Sequence, residues 1–296
     1  SVLKAAVTGH LTADWRAENA HRLEHGSDLL TRILQTRRET WDGRGKFKEP
    51  VASDTTKLPE LPEGWVWASV EQVSSATDYG SSAKCNSEGH GVPVLRMGNI
   101  VNGELDLGSL KYLPQEHREF PKLLLNSGDL LFNRTNSAEL VGKTAVYKGK
   151  PEKCSFASYL IRLRLIGIDP DFVSAFINSV YGRAWVRDVV SQQVGQANVN
   201  GSKLKALMVP LPPAEEQEEI LTCMTEQLSK MDAVGKWCQT ELDRSAALRQ
   251  SILKDAFSGR LVPQDPTDEP ADALLARIKE TRSAAPKQPR KSRVKS

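Results

Sequence analysis

Val209-Pro210-Leu211-Pro212-Pro213-Ala214-Glu215-Glu216-Gln217 is where this chain changes character. Prolines at 210, 212 and 213 stop a helix or a central strand from running through them. Beyond them, Ala214 to Phe257 contains no proline and one glycine, Gly235. Glu215, Glu216, Glu218 and Glu219 suit a helix N-terminus, where carboxylates complement the macrodipole. The segment reads as one helix over 214–257, roughly 65 Å long at about 1.5 Å per residue. A heptad frame runs Leu221, Met224, Leu228, Met231, Gly235, Cys238, Leu242, Ser245, Arg249, Ile252, Ala256, and eight of the eleven are apolar. That seam is coiled-coil-like, and a lone helix of this length needs a partner.

Upstream, Leu61-Pro62-Glu63-Gly64-Trp65-Val66-Trp67 joins a turn to an aromatic strand start and opens a block near Leu58. Short apolar runs then alternate with Gly/Asn turns: Val92–Arg96, Asp129–Asn133, Thr144–Tyr147 and Tyr159–Leu165. Phe172 to Val190, entered through Asp169-Pro170, reads as a helix or a pair of helices. The block 58–213 is thus a mixed α+β domain of a size that can hold its own core.

The two ends resemble each other. Ser1-Val2-Leu3-Lys4-Ala5-Ala6-Val7-Thr8-Gly9-His10-Leu11 aligns with Ser251-Ile252-Leu253-Lys254-Asp255-Ala256-Phe257-Ser258-Gly259-Arg260-Leu261, identical at six of eleven positions. Leu29–Arg37 then aligns with Leu274–Arg282, with five fewer residues intervening in the second copy. Residues 1–8 read as a helix end capped by Gly9. Ala13 to Trp41 reads as helical with an interruption at Gly26, followed by a Gly/Pro-rich linker over 42–57. Residues 258–296 read as a loop after Pro263, a short helix Ala271–Arg282 and a basic, disordered tail. A repeat of this period, in a chain beginning with Ser, suggests a fragment or processed product of a two-fold-repeated protein.

Composition narrows the function class. Lys and Arg number 40 against 37 Asp and Glu, a net charge of +3 that does not announce a nucleic-acid binder. The block 58–213 holds sixteen basic and fifteen acidic residues, so DNA binding there requires locally arranged loops. No apolar run reaches the roughly 18 residues a membrane span needs. Cys85, Cys154, Cys223 and Cys238 lack CxxC spacing and read as reduced thiols in a cytoplasmic protein.

Three motifs taken in order resemble one family. Leu61-Pro62-Glu63-Gly64-Trp65 comes first, then Gly128-Asp129-Leu130-Leu131-Phe132-Asn133-Arg134, then Val209 to Gln217 with its long helix and Ser251-Ile252-Leu253-Lys254. This order is similar to that of the specificity subunit of type I restriction–modification systems. The resemblance implies a mixed α/β target recognition domain (58–213) joined to a coiled-coil-type spacer helix (214–257). Residues 1–57 would follow a missing spacer helix, making the chain the C-terminal half of such a subunit. The implied partners are double-stranded DNA, a methyltransferase subunit carrying S-adenosylmethionine, and a motor nuclease subunit. The chain itself is expected to be non-catalytic and to bind no cofactor or metal. With the first helix missing, two chains are expected to pair through 214–257, giving a homodimer that reads a palindromic split site. A fused methyltransferase–nuclease and a coiled-coil adaptor are the alternatives.

Sequence-specific DNA reading needs amides and guanidinium groups at base edges, and basic or hydroxyl groups at phosphates. Four segments offer them. The first supplies Tyr79, Ser81, Ser82 and Lys84, and the second Arg96 and Asn99. The third is the densest: Asn133, Arg134, Thr135, Asn136 and Ser137, running on to Lys143. The fourth, Gln192–Asn200 with Lys203 and Lys205, supplies Gln193, Gln196, Asn198, Asn200 and Lys203. Arg162 and Arg164 alternate on a strand and share a face, either phosphate-binding or solvated. Gly142-Lys143-Thr144 lacks the earlier glycine of a phosphate loop, since position 137 is Ser. His21 and His25 lack a third ligand nearby, and no adenine-methyltransferase Asn/Asp-Pro-Pro-aromatic motif is present.

Overall fold

The computed structural model describes residues 1–41, 45–50, 54–56, 58–193, 196–263 and 265–284; the backbone, but not the side chains, of Gln192 and Gln193 is included. Much of the expected linker, Val194 and Gly195, and the basic tail lie outside the described residues. Two compact units divide the chain, Ser1–Lys230 and Met231–Ser296.

The first unit opens with α1 (Val2–Val7), α2 (Ala13–Asn19) and α3 (Gly26–Glu39). Gly9 follows α1 at φ +70°, the left-handed conformation that ends a helix. Gly26 begins α3 rather than interrupting a helix. Its N–H donates to Gly64 O at 2.7 Å, and an added Cβ would lie 2.8 Å from both Gly64 O and Leu211 O. The break occupies residues 20–25 instead.

The strands follow in chain order: β1 (Val66–Ser69), β2 (Ser74–Tyr79), β3 (Val92–Leu95), β4 (Ile100–Val101), β5 (Glu104–Leu105), β6 (Lys111–Leu113), β7 (Leu130–Asn133), β8 (Thr135–Asn136), β9 (Thr144–Val146), β10 (Ser155–Phe156) and β11 (Leu160–Leu165). After α4 (Pro170–Asn178) and α5 (Val180–Val189) come β12 (Ser191–Gln193), β13 (Gln196–Asn198), α6 (Gly201–Lys205) and β14 (Met208–Leu211). Ser179 separates α4 from α5, donating to Phe176 O and accepting from Tyr181 N.

A four-stranded sheet in the order β2-β11-β7-β9 forms the centre, with β10-β3-β6 beside it. Strand alternation explains why its inner strands are apolar almost throughout. Leu130, Phe132, Ile161 and Leu163 face one core with α4, while Leu131 and Leu160 face a second with Leu95 and Phe156. The first core also takes Ala6, Val7, Leu29 and Ile33, so the N-terminal helices share it with the 58–213 block.

Arg162 and Arg164 do share a face, but Arg162 is buried and neither phosphate-facing nor solvated. It donates to Asp78 Oδ2 (2.8 Å) and Leu124 O (2.8 Å), while Arg164 Nε donates to Asp129 Oδ1 (3.0 Å).

The Pro-Pro-Ala-Glu-Glu-Gln stretch opens α7 (Ala214–Phe257) and pins the first unit together. Glu216 is fully buried: Oε1 accepts from Thr12 Oγ1 (2.7 Å) and Arg16 Nη1 (2.5 Å), and Oε2 from Trp65 Nε1 (2.7 Å). Gln217 Oε1 accepts from Asp169 N (2.7 Å), and its amide donates to Pro212 O (3.1 Å). A buried carboxylate is tolerable because a charge partner and two further donors replace its water.

The second unit carries the rest of α7 and, after a turn, α8 (Ala271–Ala284), which has no buried residue. Among the described residues, no helix is long and apolar enough to cross a membrane.

Candidate nucleic-acid interface

The third segment begins where β7 leaves the core. Asn133 N donates to Lys143 O (2.9 Å), Gly142 N to Asn133 O (2.7 Å) and Asn133 Nδ2 to Leu140 O (3.2 Å). These bonds close 133–143 into a tight loop. Arg183 of α5 braces it from below through Val141 O (2.6 Å) and Glu139 O (2.9 Å). Burial, with Arg187 adding like charge, lowers the Arg183 pKa.

The fourth segment joins the third by sheet pairing. The β12–β13 hairpin adds to β8, with Asn198 opposite Thr135 and Ala197 opposite Asn136. Asn198 Nδ2 donates to Thr135 Oγ1 (2.6 Å), and Val199 N to Arg134 O (2.9 Å). Gln193 and Gln196 pair at the hairpin end; Gln196 is exposed. Asn200 caps α6 by accepting from Lys203 N (2.9 Å). Lys203 Nζ is held by Val189 O (2.5 Å) at the C-terminus of α5 and by Ser191 Oγ (2.7 Å). Helix-end carbonyls attract cations, which accounts for that placement.

The first segment reaches the same place through Tyr79. Its hydroxyl accepts from Gly201 N (2.8 Å), and the Arg134 guanidinium lies 4.9 Å from its ring centroid. Arg134 Nη1 donates to Ser158 O (3.2 Å). Ring and carbonyl together fix the plane of a cation at the junction of three segments. Ser82 and Lys84 are exposed nearby in sequence.

The second segment forms a single 3₁₀ turn, Met97–Asn99. Asn99 Oδ1 accepts from Arg96 N (2.9 Å), and Nδ2 donates to Asp106 O (2.8 Å). Between this turn and the third segment lies a cleft of about 510 Å³, whose lining includes Arg96, Met97, Asn136, Leu140, Lys143 and Tyr159.

Three sequence candidates therefore belong to the scaffold and not to its surface. Ser81, Asn99 and Asn133 are buried, and their side chains bond to Glu119, to turn carbonyls and to Leu140 O. Short polar side chains beside strands often satisfy nearby backbone in this way. Tyr79, Ser82, Lys84, Ser137, Gln196 and Asn200 are exposed, while Arg96, Arg134, Thr135, Asn136, Lys143, Asn198 and Lys203 are half-buried. Tyr159 was missed: it reads as the first residue of an apolar strand, yet it is 44% exposed beside the cleft. An aromatic residue directly after Ser158 at a strand start was the available signal.

Residues 62–233 match the family model for the type I restriction modification DNA specificity domain. The chain is 32% identical over 226 residues to the type I restriction enzyme EcoKI specificity subunit of Escherichia coli K12, covering 73% of this chain and 49% of that protein. It is 30% identical over 206 residues to the putative type I restriction enzyme MjaX specificity subunit of Methanocaldococcus jannaschii, covering 69% and 48%. A solved structure, described as the structural basis of complex assembly and conformational transition of the type I R-M system, aligns with a TM-score of 0.53 at 20% identity. The alignment covers 86% of this chain and 57% of that one, a likeness of fold. The chain spans about half the length of the curated relatives it matches. The matched span begins inside the Leu61–Trp65 turn and runs through the Glu216 junction into α7, and on it this chain belongs to the type I restriction–modification DNA specificity family.

Proposed function

We propose that this chain reads duplex DNA as half of a type I restriction–modification specificity subunit. The observation that carries the reading is the convergence of three segments on Arg134, whose guanidinium is stacked on Tyr79 and held by Ser158 O. A guanidinium fixed in plane suits the O6/N7 edge of guanine, and a two-stranded ribbon such as β12–β13 fits a major groove. Lys84, Lys143 and Arg96 supply cations for phosphates around it.

In this reading the 58–213 block recognises one half of a bipartite target, and α7 sets the spacing to the other half. The chain performs no chemistry. It works in the cytoplasm, directing a methyltransferase subunit that carries S-adenosylmethionine and a motor nuclease subunit. Two copies pair through α7. Met231, Val234, Trp237, Leu242 and Leu248 are each at least 59% exposed along it, a density of bare apolar side chains that supports helix pairing.

Mapping methylated adenines on random DNA, with the chain combined with its methyltransferase subunit, tests both parts. A split palindrome is the expected result. An asymmetric site would refute the homodimer and leave DNA reading intact. In the same assay Arg134→Ala should lower methylation of the cognate site about 10- to 100-fold, the worth of one good base contact. An unchanged rate would remove Arg134 from the interface.

A further inference from the structure

The cleft between the Met97 turn and the 133–143 loop is unusual for a DNA-facing surface because its walls are apolar. Met97 is 38% exposed, Val101 44%, Leu140 39% and Tyr159 44%, and all four line it. Polar Asn133 and Asn136 also line it; Asn133 is buried and bonded to Leu140 O, whereas Asn136 is only half-buried. Its Oδ1 accepts from Ser137 N (2.8 Å), which settles the orientation of the amide and leaves Nδ2 without a protein partner among the described residues. Pairing of Asn136 with Ala197 in the β8–β13 ladder fixes its backbone, and the Ser137 bond restrains its amide. Lys143 stands at the same cleft.

We propose that this cleft is a thymine-reading pocket, a specificity site that rests on the DNA-reading function above. In the major groove thymine presents a carbonyl oxygen, O4, beside a 5-methyl group. Asn136 Nδ2 donates to O4, and the methyl lies against Met97, Leu140 and Tyr159. Cytosine is rejected twice: its N4 amino group sets a donor against the Asn136 donor, and it brings no methyl to the apolar wall. Lys143 holds an adjoining phosphate.

The test uses the full chain with its methyltransferase subunit on duplexes carrying the mapped target. Each thymine of the half-site is replaced in turn by uracil, which removes only the methyl. One position should lose about fourfold in methylation rate at subsaturating DNA, the worth of one buried methyl-sized group. That loss should vanish in Met97→Ala and shrink in Leu140→Ala, both at exposed positions where the fold is not at stake. Asn136→Ala should narrow the preference for thymine over cytosine at the same position about fivefold, as for one hydrogen bond. A half-site lacking thymine, or a uracil effect that both apolar variants leave intact, overturns the pocket while DNA reading stands. A wild-type complex without sequence-dependent methylation overturns both.

Discussion

In the stretch 1–11, Thr8 N donates to Lys4 O, Gly9 N to Ala6 O and Leu11 N to Ala5 O. In the stretch 251–261, Ser258 N donates to Lys254 O, Gly259 N to Ala256 O and Leu261 N to Asp255 O. Gly9 and Gly259 both sit at φ +70°. The two helix ends are built alike, yet their side chains meet opposite surroundings. Ala6 and Val7 are buried, whereas Ala256 is exposed and Phe257 is 90% exposed. Further along, Leu29 and Ile33 are buried, while Leu274 and Ile278 are not. Local sequence writes the shape of the helix end. Burial comes from elsewhere, in the first copy from α4, against which α1 packs, and from the core it shares with Trp65 and Phe172, while Pro62 and Trp65 crowd Gly9. Ala256, Phe257, Leu274 and Ile278 of the second copy are exposed, which accords with the proposed pairing of two chains.

The comparison breaks most sharply at Glu216. Glu216→Ala strands Arg16, Thr12 and the Trp65 N–H together, and should cost about 3–5 kcal/mol in denaturant unfolding. Phe257→Ala, at the exposed copy, should change the stability of the dilute chain by less than about 0.5 kcal/mol. Comparable losses from the two would mean that the copies are not in different environments. Next in size, Leu29→Ala should cost about 2–5 kcal/mol by opening a cavity, and the aligned Leu274→Ala about 0.5 kcal/mol or less. Chemical denaturation of both variants under identical conditions gives the contrast directly.

Much of this was legible in the chain itself, because the signals are local. Pro213 and Gly259 bracket the long helix. A continuous apolar run marks β7, an Arg/Leu alternation marks β11, and Asp169-Pro170 marks the start of α4. For the candidate interface, the sequence marks polar segments, three of which the fold brings together at Arg134, but not which of their side chains stay exposed. Ser81, Asn99 and Asn133 have the composition of contact groups but satisfy their own scaffold, and nothing in a linear sequence distinguishes those uses. Glu216 was the larger omission. Its acidic neighbours explain it as a helix N-terminal charge, whereas its bonds reach Thr12 and Arg16, about 200 positions away. Contacts at that separation leave no periodicity to read. Arg162 was placed on the correct face by alternation, but its burial depends on Asp78 and on the 122–124 backbone folding over it.

The smallest contrast is the most discriminating, because it compares one substitution at two matched glycines. An alanine at φ +70° costs roughly 1–2 kcal/mol from backbone sterics alone. At Gly9 the new Cβ would also lie 2.6 Å from Pro62 Cγ and 3.2 Å from Trp65 Cζ2. Gly9→Ala should therefore lower global stability by about 2 kcal/mol or more, since neighbours in a packed seat must shift. Ala256 and Phe257 beside Gly259 are exposed, so Gly259→Ala in the dilute chain should cost about 1 kcal/mol through its backbone, seen as faster amide exchange over 255–261 and a smaller change in global stability than Gly9→Ala. Repeating the pair at concentrations where two chains associate sharpens the contrast. If a second recognition unit seats 251–261 as Pro62 and Trp65 seat 1–11, the cost of Gly259→Ala rises toward that of Gly9→Ala and association weakens with it. A Gly259→Ala cost that is independent of concentration would mean the second helix end stays bare in the assembly, and pairing would then have to rest on the Met231–Leu248 stretch of α7 alone.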